Sequence, residues 1–340
     1  MAAPRLDVRR LAKLVSAFRD VRLLVLGDVV LDEYLWGDVE RVSPEAPVPV
    51  VHVQRESQVL GGAGNVVRNV IALGGRCTLA SAVGDDRAGD RVIELLREQG
   101  VSPDGVVRVA GRPTTRKTRV VARSQQIVRF DRENAAPLPS AASRALLASV
   151  ERASAGVHGA VVEDYGKGVL APATVRAALR HLGAAGVPVV VDPKEDLAPY
   201  RGVALIKPNL REAAALSGIA IHSDADLARA ASRVRRKLGG AAVVVTRGAD
   251  GMSLFERDGP GLRVATPRRE VFDVQGAGDT TIAALALALR AGASLFEAVV
   301  LANAAAGVVV GKIGTATASP DELLDALPAA VAAARREGRA

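Results

Sequence analysis

Short runs of aliphatic and β-branched residues recur along this chain, and a stretch of helical periodicity follows most of them. The runs fall at 22–26, 78–83, 159–162, 188–191, 204–207 and 242–246. They are too uniformly apolar to have one solvated face, so each predicts a strand covered on both sides, as in a parallel sheet. Helix patterns lie at 64–73, 89–99, 171–185, 209–217 and 224–238, several of them closed by glycine. Strands alternating with helices predict an α/β fold, a doubly wound and mostly parallel sheet flanked by helices. Two stretches break the rhythm. Residues 38–53 are rich in Val and Pro, and 105–131 alternate β-formers with polar residues. They predict a small β-sheet lid with strands within about 31–60 and 105–132.

Composition narrows the function. Apolar residues make up 49% of the 340 and charged residues 24%, which suits a folded globular chain. No apolar run approaches the roughly 18 residues of a membrane helix, so no membrane partner is expected. The first twenty residues mix Arg with Asp and read as an amphipathic helix instead of a signal peptide. A single cysteine, Cys77, excludes an internal disulfide and suits a cytoplasmic setting. The four histidines show no metal-ligand spacing. The net charge of +8 raises the question of nucleic acid, but 38 of the 45 cations are dispersed arginines. With 3% aromatics there is also little to stack bases on, so no nucleic-acid partner is expected. The seven lysines are distributed differently: Lys117, Lys167, Lys194, Lys207 and Lys312 all fall in motif-bearing stretches.

The most informative motif is Gly276-Ala277-Gly278-Asp279, followed by an unbroken run of good helix formers. Small residues at a helix start let an anion approach the free backbone N–H groups. Asp279 has two readings from spacing alone: a base beside a bound phosphate, or a cap on its own helix. A second cluster, Gly61-Gly62-Ala63-Gly64-Asn65, lacks the spacing of a dinucleotide fingerprint and does not follow an expected buried strand. No G-x-x-x-x-G-K-[ST] phosphate loop occurs.

These motifs carry a resemblance. The chain resembles the PfkB/ribokinase family of carbohydrate kinases over about residues 20–320. The broad family is carried by Gly276-Ala-Gly-Asp279 and Asn209-Leu-Arg-Glu212. The Ser43-Pro-Glu-Ala-Pro-Val-Pro49, Asp164-Tyr-Gly-Lys-Gly168 and Gly311-Lys-Ile-Gly-Thr-Ala-Thr317 runs are similar to its heptose 7-phosphate kinase branch. The resemblance implies a ribokinase-like fold using ATP and Mg²⁺, which phosphorylates O1 of D-glycero-β-D-manno-heptose 7-phosphate in ADP-heptose biosynthesis. It implies that Asp279 is the base and that the N–H groups of Gly276, Ala277 and Gly278 form the anion hole. Asn209, Leu210, Arg211 and Glu212 would lie at the nucleotide phosphates, with Glu212 holding Mg²⁺ through water; Thr246, Gly248 and Asn303 would border the adenosine. Asp28, Gly61, Gly62, Asn65 and Asp164 would hold the sugar, and Lys117, Arg119, Lys167 and Lys194 are candidates for its phosphate end.

The sequence departs from the family at Gln275, Glu163 and Lys207, where Thr, a small residue and Thr are usual. Gln275 borders the anion hole, and Glu163 and Lys207 would compensate each other if they are neighbours. A kinase for another sugar, and a binding protein that senses nucleotide or sugar phosphate, remain as alternatives. The resemblance also implies a homodimer through the lid. No His-x-Gly-His motif occurs, so residues 1–340 read as one kinase domain without an adenylyltransferase domain, and a separate adenylyltransferase is expected.

Overall fold

A computed structural model describes residues 6–337 apart from 124, 257–260 and 268–270. In chain order the strands are β1 (Arg22–Gly27), β2 (Val29–Val42), β3 (Pro49–Gly62), β4 (Arg76–Gly84), β5 (Val106–Val109), β6 (Arg116–Ala122) and β7 (Gln125–Arg132). They continue with β8 (Gly159–Glu163), β9 (Val189–Asp192), β10 (Leu205–Ile206), β11 (Ala242–Thr246), β12 (Met252–Phe255) and β13 (Leu262–Val264). Among the described residues nine strands form the main sheet, in the order β13-β12-β11-β10-β9-β8-β1-β4-β5, and four form the second, in the order β3-β2-β6-β7.

The six expected apolar runs become β1, β4, β8, β9, β10 and β11, all paired in parallel. Helices cover both faces of this sheet, which explains why these strands carry apolar side chains on both sides. One layer includes Ala63–Ala72, Ala277–Arg290, Leu295–Val309 and Pro320–Glu337; the other includes Ser140–Ser154, Pro172–Ala184, Leu210–Ser217 and Asp224–Leu238. The Ala277–Arg290 helix has almost no polar face because it packs between Ala63–Ala72 and Leu295–Val309. Among the described residues no helix is long and apolar enough to cross a membrane.

Several expectations are corrected. The 105–131 stretch divides, because β5 pairs in parallel with β4 on the main sheet. Gly105 permits this: a Cβ there would lie 2.1 Å from the Leu79 carbonyl oxygen. The edge strands β12 and β13, which pair antiparallel, were not expected. Nor were the helices Ser140–Ser154 and Leu295–Val309. Gly61 and Gly62 do end a strand, and its last three residues are buried. The exposed polar half of β3 hides that from the sequence. The second sheet is mixed, with β2 parallel to β6 and the other two pairs antiparallel. One residue, Asp28, separates β1 of the main sheet from β2 of the second.

Candidate active site

In a doubly wound sheet the crevice forms beyond the carboxyl ends of the strands. Here β1, β8, β9 and β10 end on, or one residue before, Asp28, Glu163, Asp192 and Lys207. The register places Glu163 beside Gly27 on one side and Asp192 on the other. Asp28 is buried, and its carboxylate accepts the N–H groups of Tyr165 (3.0 Å), Lys167 (3.1 Å) and Val169 (3.0 Å). Burial pushes its pKa up and those three bonds pull it down. Asp28 thus binds the loop after β8 to the junction of the two sheets.

Asp279 enters this crevice from the first turn of the Ala277–Arg290 helix. The turn requires Gly276: its φ is +76°, and a Cβ there would meet the Asn65 amide nitrogen at 2.7 Å. The position before the helix is occupied by Gly276 itself, with no side-chain cap. The Asp279 carboxylate instead accepts from Asn65 Nδ2 at 2.6 Å and from Tyr165 Oη at 2.9 Å. Of the two sequence readings, capping is therefore excluded by geometry. Burial raises the Asp279 pKa above the ordinary carboxylate value, while the two donors act against it. Asn65 is held in turn by Arg68, and its backbone carbonyl accepts from Asn69, whose Oδ1 takes the Thr280 hydroxyl. Gln275 makes a contact across to the second sheet. It accepts from Tyr34 Oη at 3.0 Å, linking the lid to the turn.

Next to Asp279, the carboxylate oxygens of Glu163, Asp192 and Asp279 lie within 4.8 Å of one another. Lys207 is the cation among them, with its Nζ 2.7 Å from Asp192 Oδ2. Burial comes first among the causes that push Glu163 well above its ordinary value, and Asp192 and Asp279 add to it. The two family departures are thus neighbours, joined through Asp192.

A cavity of about 600 Å³ opens on the other side of the glycine turn, lined by Thr246, Gly248, Thr266, Ala277, Gly278 and Asn303 among others. The expected adenosine residues therefore share one space with two of the three expected anion-hole residues, Ala277 and Gly278. Asn303 is fixed there by Thr266 Oγ1 (2.8 Å) and by the Ala265 carbonyl (2.9 Å). Asn209 and Glu212 form a reciprocal capping box on the Leu210–Ser217 helix, at 2.8 and 2.9 Å. Leu210 and Arg211 fill its first turn, with Arg211 exposed. Asn209 also bridges to Thr246 at the cavity edge.

The lid-side cations separate into different roles. Arg119 is buried in an ion pair with Asp32 (2.6 Å) beneath Tyr34, and Gly61 lies against that Asp32 carboxylate. Lys167 pairs with Glu133 at 2.7 Å. Lys194 is exposed on the loop after β9. Lys117 lies over the Tyr165 ring at 5.3 Å, and burial lowers its pKa. Asp164 accepts from Tyr200 Oη (2.6 Å) and from the Gly166 N–H. Sequence reasoning did not assign Tyr165, Asp192, Tyr34 or Asn69. Two of them carry a signal: Tyr165 lies inside Asp164-Tyr-Gly-Lys-Gly168, and Asp192 ends an apolar strand beside the crevice.

A mostly parallel sheet, a second sheet hinged at Asp28 and a glycine turn that presents one buried acid define a ribokinase-like α/β kinase. Solved structures agree at the level of fold. Arabidopsis thaliana ribokinase complexed with ribose and ATP matches 90% of this chain and 98% of its own, at TM-score 0.72 and 21% identity. Phosphofructokinase-2 from Escherichia coli in complex with substrates and products matches 91% and 99%, at TM-score 0.76 and 23% identity. The chain belongs to the pfkB family of carbohydrate kinases, whose pattern matches residues 22–322, and is thus a phosphotransferase with an alcohol group as acceptor. Among curated proteins it is similar to the bifunctional protein HldE of Pelobacter propionicus, 45% identical over 323 residues. The HldE of Paramagnetospirillum magneticum is 46% identical over 322 residues. The match takes in 95% and 94% of this chain and spans 66% of the length of each relative.

Proposed function

We propose that this chain transfers the γ-phosphoryl group of ATP to O1 of D-glycero-β-D-manno-heptose 7-phosphate, giving the 1,7-bisphosphate and ADP. The observation that carries the reading is the place of Asp279. It directly follows Gly278, which lines the cavity with Thr246 and Asn303, and its carboxylate is oriented by Asn65 and Tyr165. The nucleotide occupies the cavity and the sugar the lid side. Asp279 takes the O1 proton as O1 attacks the γ-phosphorus. The new O1–P bond forms, the bond from γ-phosphorus to the bridging oxygen breaks, and ADP leaves with that electron pair. The helix N-terminus at Gly276–Gly278 offers N–H groups to the equatorial oxygens, where charge stabilisation counts for most.

The donor set fits Mg²⁺ held partly through water. Glu212 keeps one carboxylate oxygen outside the capping box, and it faces the Asp192–Lys207 pair closely enough to influence both. When bound, the ion neutralises phosphate charge. At the sugar end, Lys117 is the candidate for the 7-phosphate, as a half-buried ammonium beside Tyr165. The similarity to HldE proteins and the Asp164–Gly168 and Gly311–Thr317 runs favour a heptose over other sugars. A homodimer through the lid and a cytoplasmic setting, suited to the single thiol of Cys77, belong to the same reading.

The test is phosphorus NMR of the products formed by purified protein with ATP, Mg²⁺ and a panel of sugars with and without a terminal phosphate. Heptose 7-phosphate should give a 1,7-bisphosphate with the highest kcat/KM. Faster turnover of a hexose phosphate or a free sugar would replace the substrate and leave the kinase.

A further inference from the structure

Lys207 follows β10 directly and is 3% exposed. A buried ammonium is costly unless it is paired, and Lys207 is: Asp192 lies at 2.7 Å. Its charge survives burial, since Asp192 and Glu163 hold its pKa above the ordinary lysine value. Three carboxylates surround it, yet Glu163 Oε2 finds no hydrogen-bond partner among the described residues. Among the described residues the carboxylate in ion-pair contact with Lys207 is that of Asp192, so Glu163 does not use up the lysine. An ammonium has three donors, and the position of this one indicates what the others meet. It lies 3.6 Å from the point where a Cβ on Gly278 would sit, and Gly278 lines the nucleotide cavity at the start of the Ala277–Arg290 helix. The missing side chain at 278 lets the ammonium approach the helix N-terminus at the cavity wall.

We propose that Lys207 is a catalytic residue that donates hydrogen bonds to the transferring phosphoryl group, and that Asp192 holds its ammonium in place while the cleft is empty. The inference rests on the kinase reading and deepens it. It does not depend on which sugar is the acceptor. As the phosphoryl group moves from ADP to the sugar, negative charge spreads over its equatorial oxygens. A fixed point charge beside the N–H groups stabilises that state without reorganisation. The same contact discriminates between nucleotides, because ATP presents the γ-phosphate to Lys207 and ADP does not.

The experiment compares binding of ADP and of a non-hydrolysable ATP analogue, with Mg²⁺, by calorimetry on the whole chain. The proteins are wild type, Lys207→Met and the charge-balanced pair Glu163→Ser with Lys207→Thr. Lys207→Met strands Asp192 and is exposed to folding failure; the double variant removes one cation and one acid together and decides the question if it does. In both variants the analogue should weaken by roughly tenfold or more, the scale of one charge-assisted hydrogen bond, while ADP binding barely changes. Turnover of the double variant should fall with it. The proposal is overturned if both nucleotides weaken equally, or if the double variant turns over like wild type, which would make Lys207 only the counter-charge of Glu163. Wild type that binds both nucleotides but ignores heptose 7-phosphate would sink the sugar reading and leave this comparison intact.

Discussion

Asp279 shows how much one residue's chemistry depends on its partners. Its spacing after Gly276-Ala-Gly allows a base or a cap, and the choice falls to Asn65, 214 positions earlier in the chain, and to Tyr165. Asp279→Asn should lower kcat by about 10²–10⁴-fold, the usual weight of general-base catalysis, while nucleotide binding measured by calorimetry persists. Near-normal turnover would remove Asp279 from the mechanism. The pH dependence follows from the same contacts. Burial raises the Asp279 pKa, so kcat/KM should fall with acid at a higher pH than an ordinary carboxylate would give. Tyr165 donates to the ionised form and lowers that pKa, so Tyr165→Phe should move the acid limb to still higher pH. A limb that stays in place, or moves down, would show that another group titrates. Asp279 was legible in the sequence as a candidate base. Its orienting donors were not, because they come from distant elements.

At the scale of elements, the Asn209-x-x-Glu212 spacing has a double meaning. It matches the family motif, and it is also a capping box that fixes the start of the Leu210–Ser217 helix. The two roles separate by substitution. Glu212→Ala removes one reciprocal bond and should cost about 1 kcal/mol of stability, read by denaturant unfolding. Glu212→Gln keeps an acceptor and a similar shape, so it should stay close to wild-type stability. It should nonetheless need more Mg²⁺ for half-maximal rate. Equal Mg²⁺ dependence in wild type and Gln would leave Glu212 a purely structural residue. The glycine turn obeys a different constraint. Gly276→Ala forces a side chain into a left-handed conformation, at about 1–2 kcal/mol, and pushes it towards the Asn65 amide. Both stability and kcat should fall, and an unchanged rate would show that the turn tolerates the shift.

At the scale of the molecule, the lid is where sequence and assembly meet. All eight residues of β7 are exposed, Val128 at 48% and Phe130 at 52%, and β7 is an edge strand. Val128 and Phe130 share a face of the strand, and an apolar open edge of this kind invites a partner. Light scattering should therefore find a dimer, and Phe130→Glu should shift it towards the mass of one chain. A wild-type monomer at micromolar concentration would end that expectation. The 38 arginines give no comparable lead. Many make local surface pairs, such as Arg91 with Glu94 and Arg229 with Asp226. By itself the sequence determined the doubly wound core, since strands buried on both faces must be apolar throughout and helices must show their own period. It also marked the glycine turn and its acid, because a left-handed residue at the start of a helix calls for glycine. Only the tertiary structure decided that β5 leaves the lid for the main sheet, that Asn65 and Tyr165 aim Asp279, and that Glu163 and Lys207 meet through Asp192. Those contacts join chain segments far apart in sequence, and burial gives their charges a meaning that no local pattern encodes.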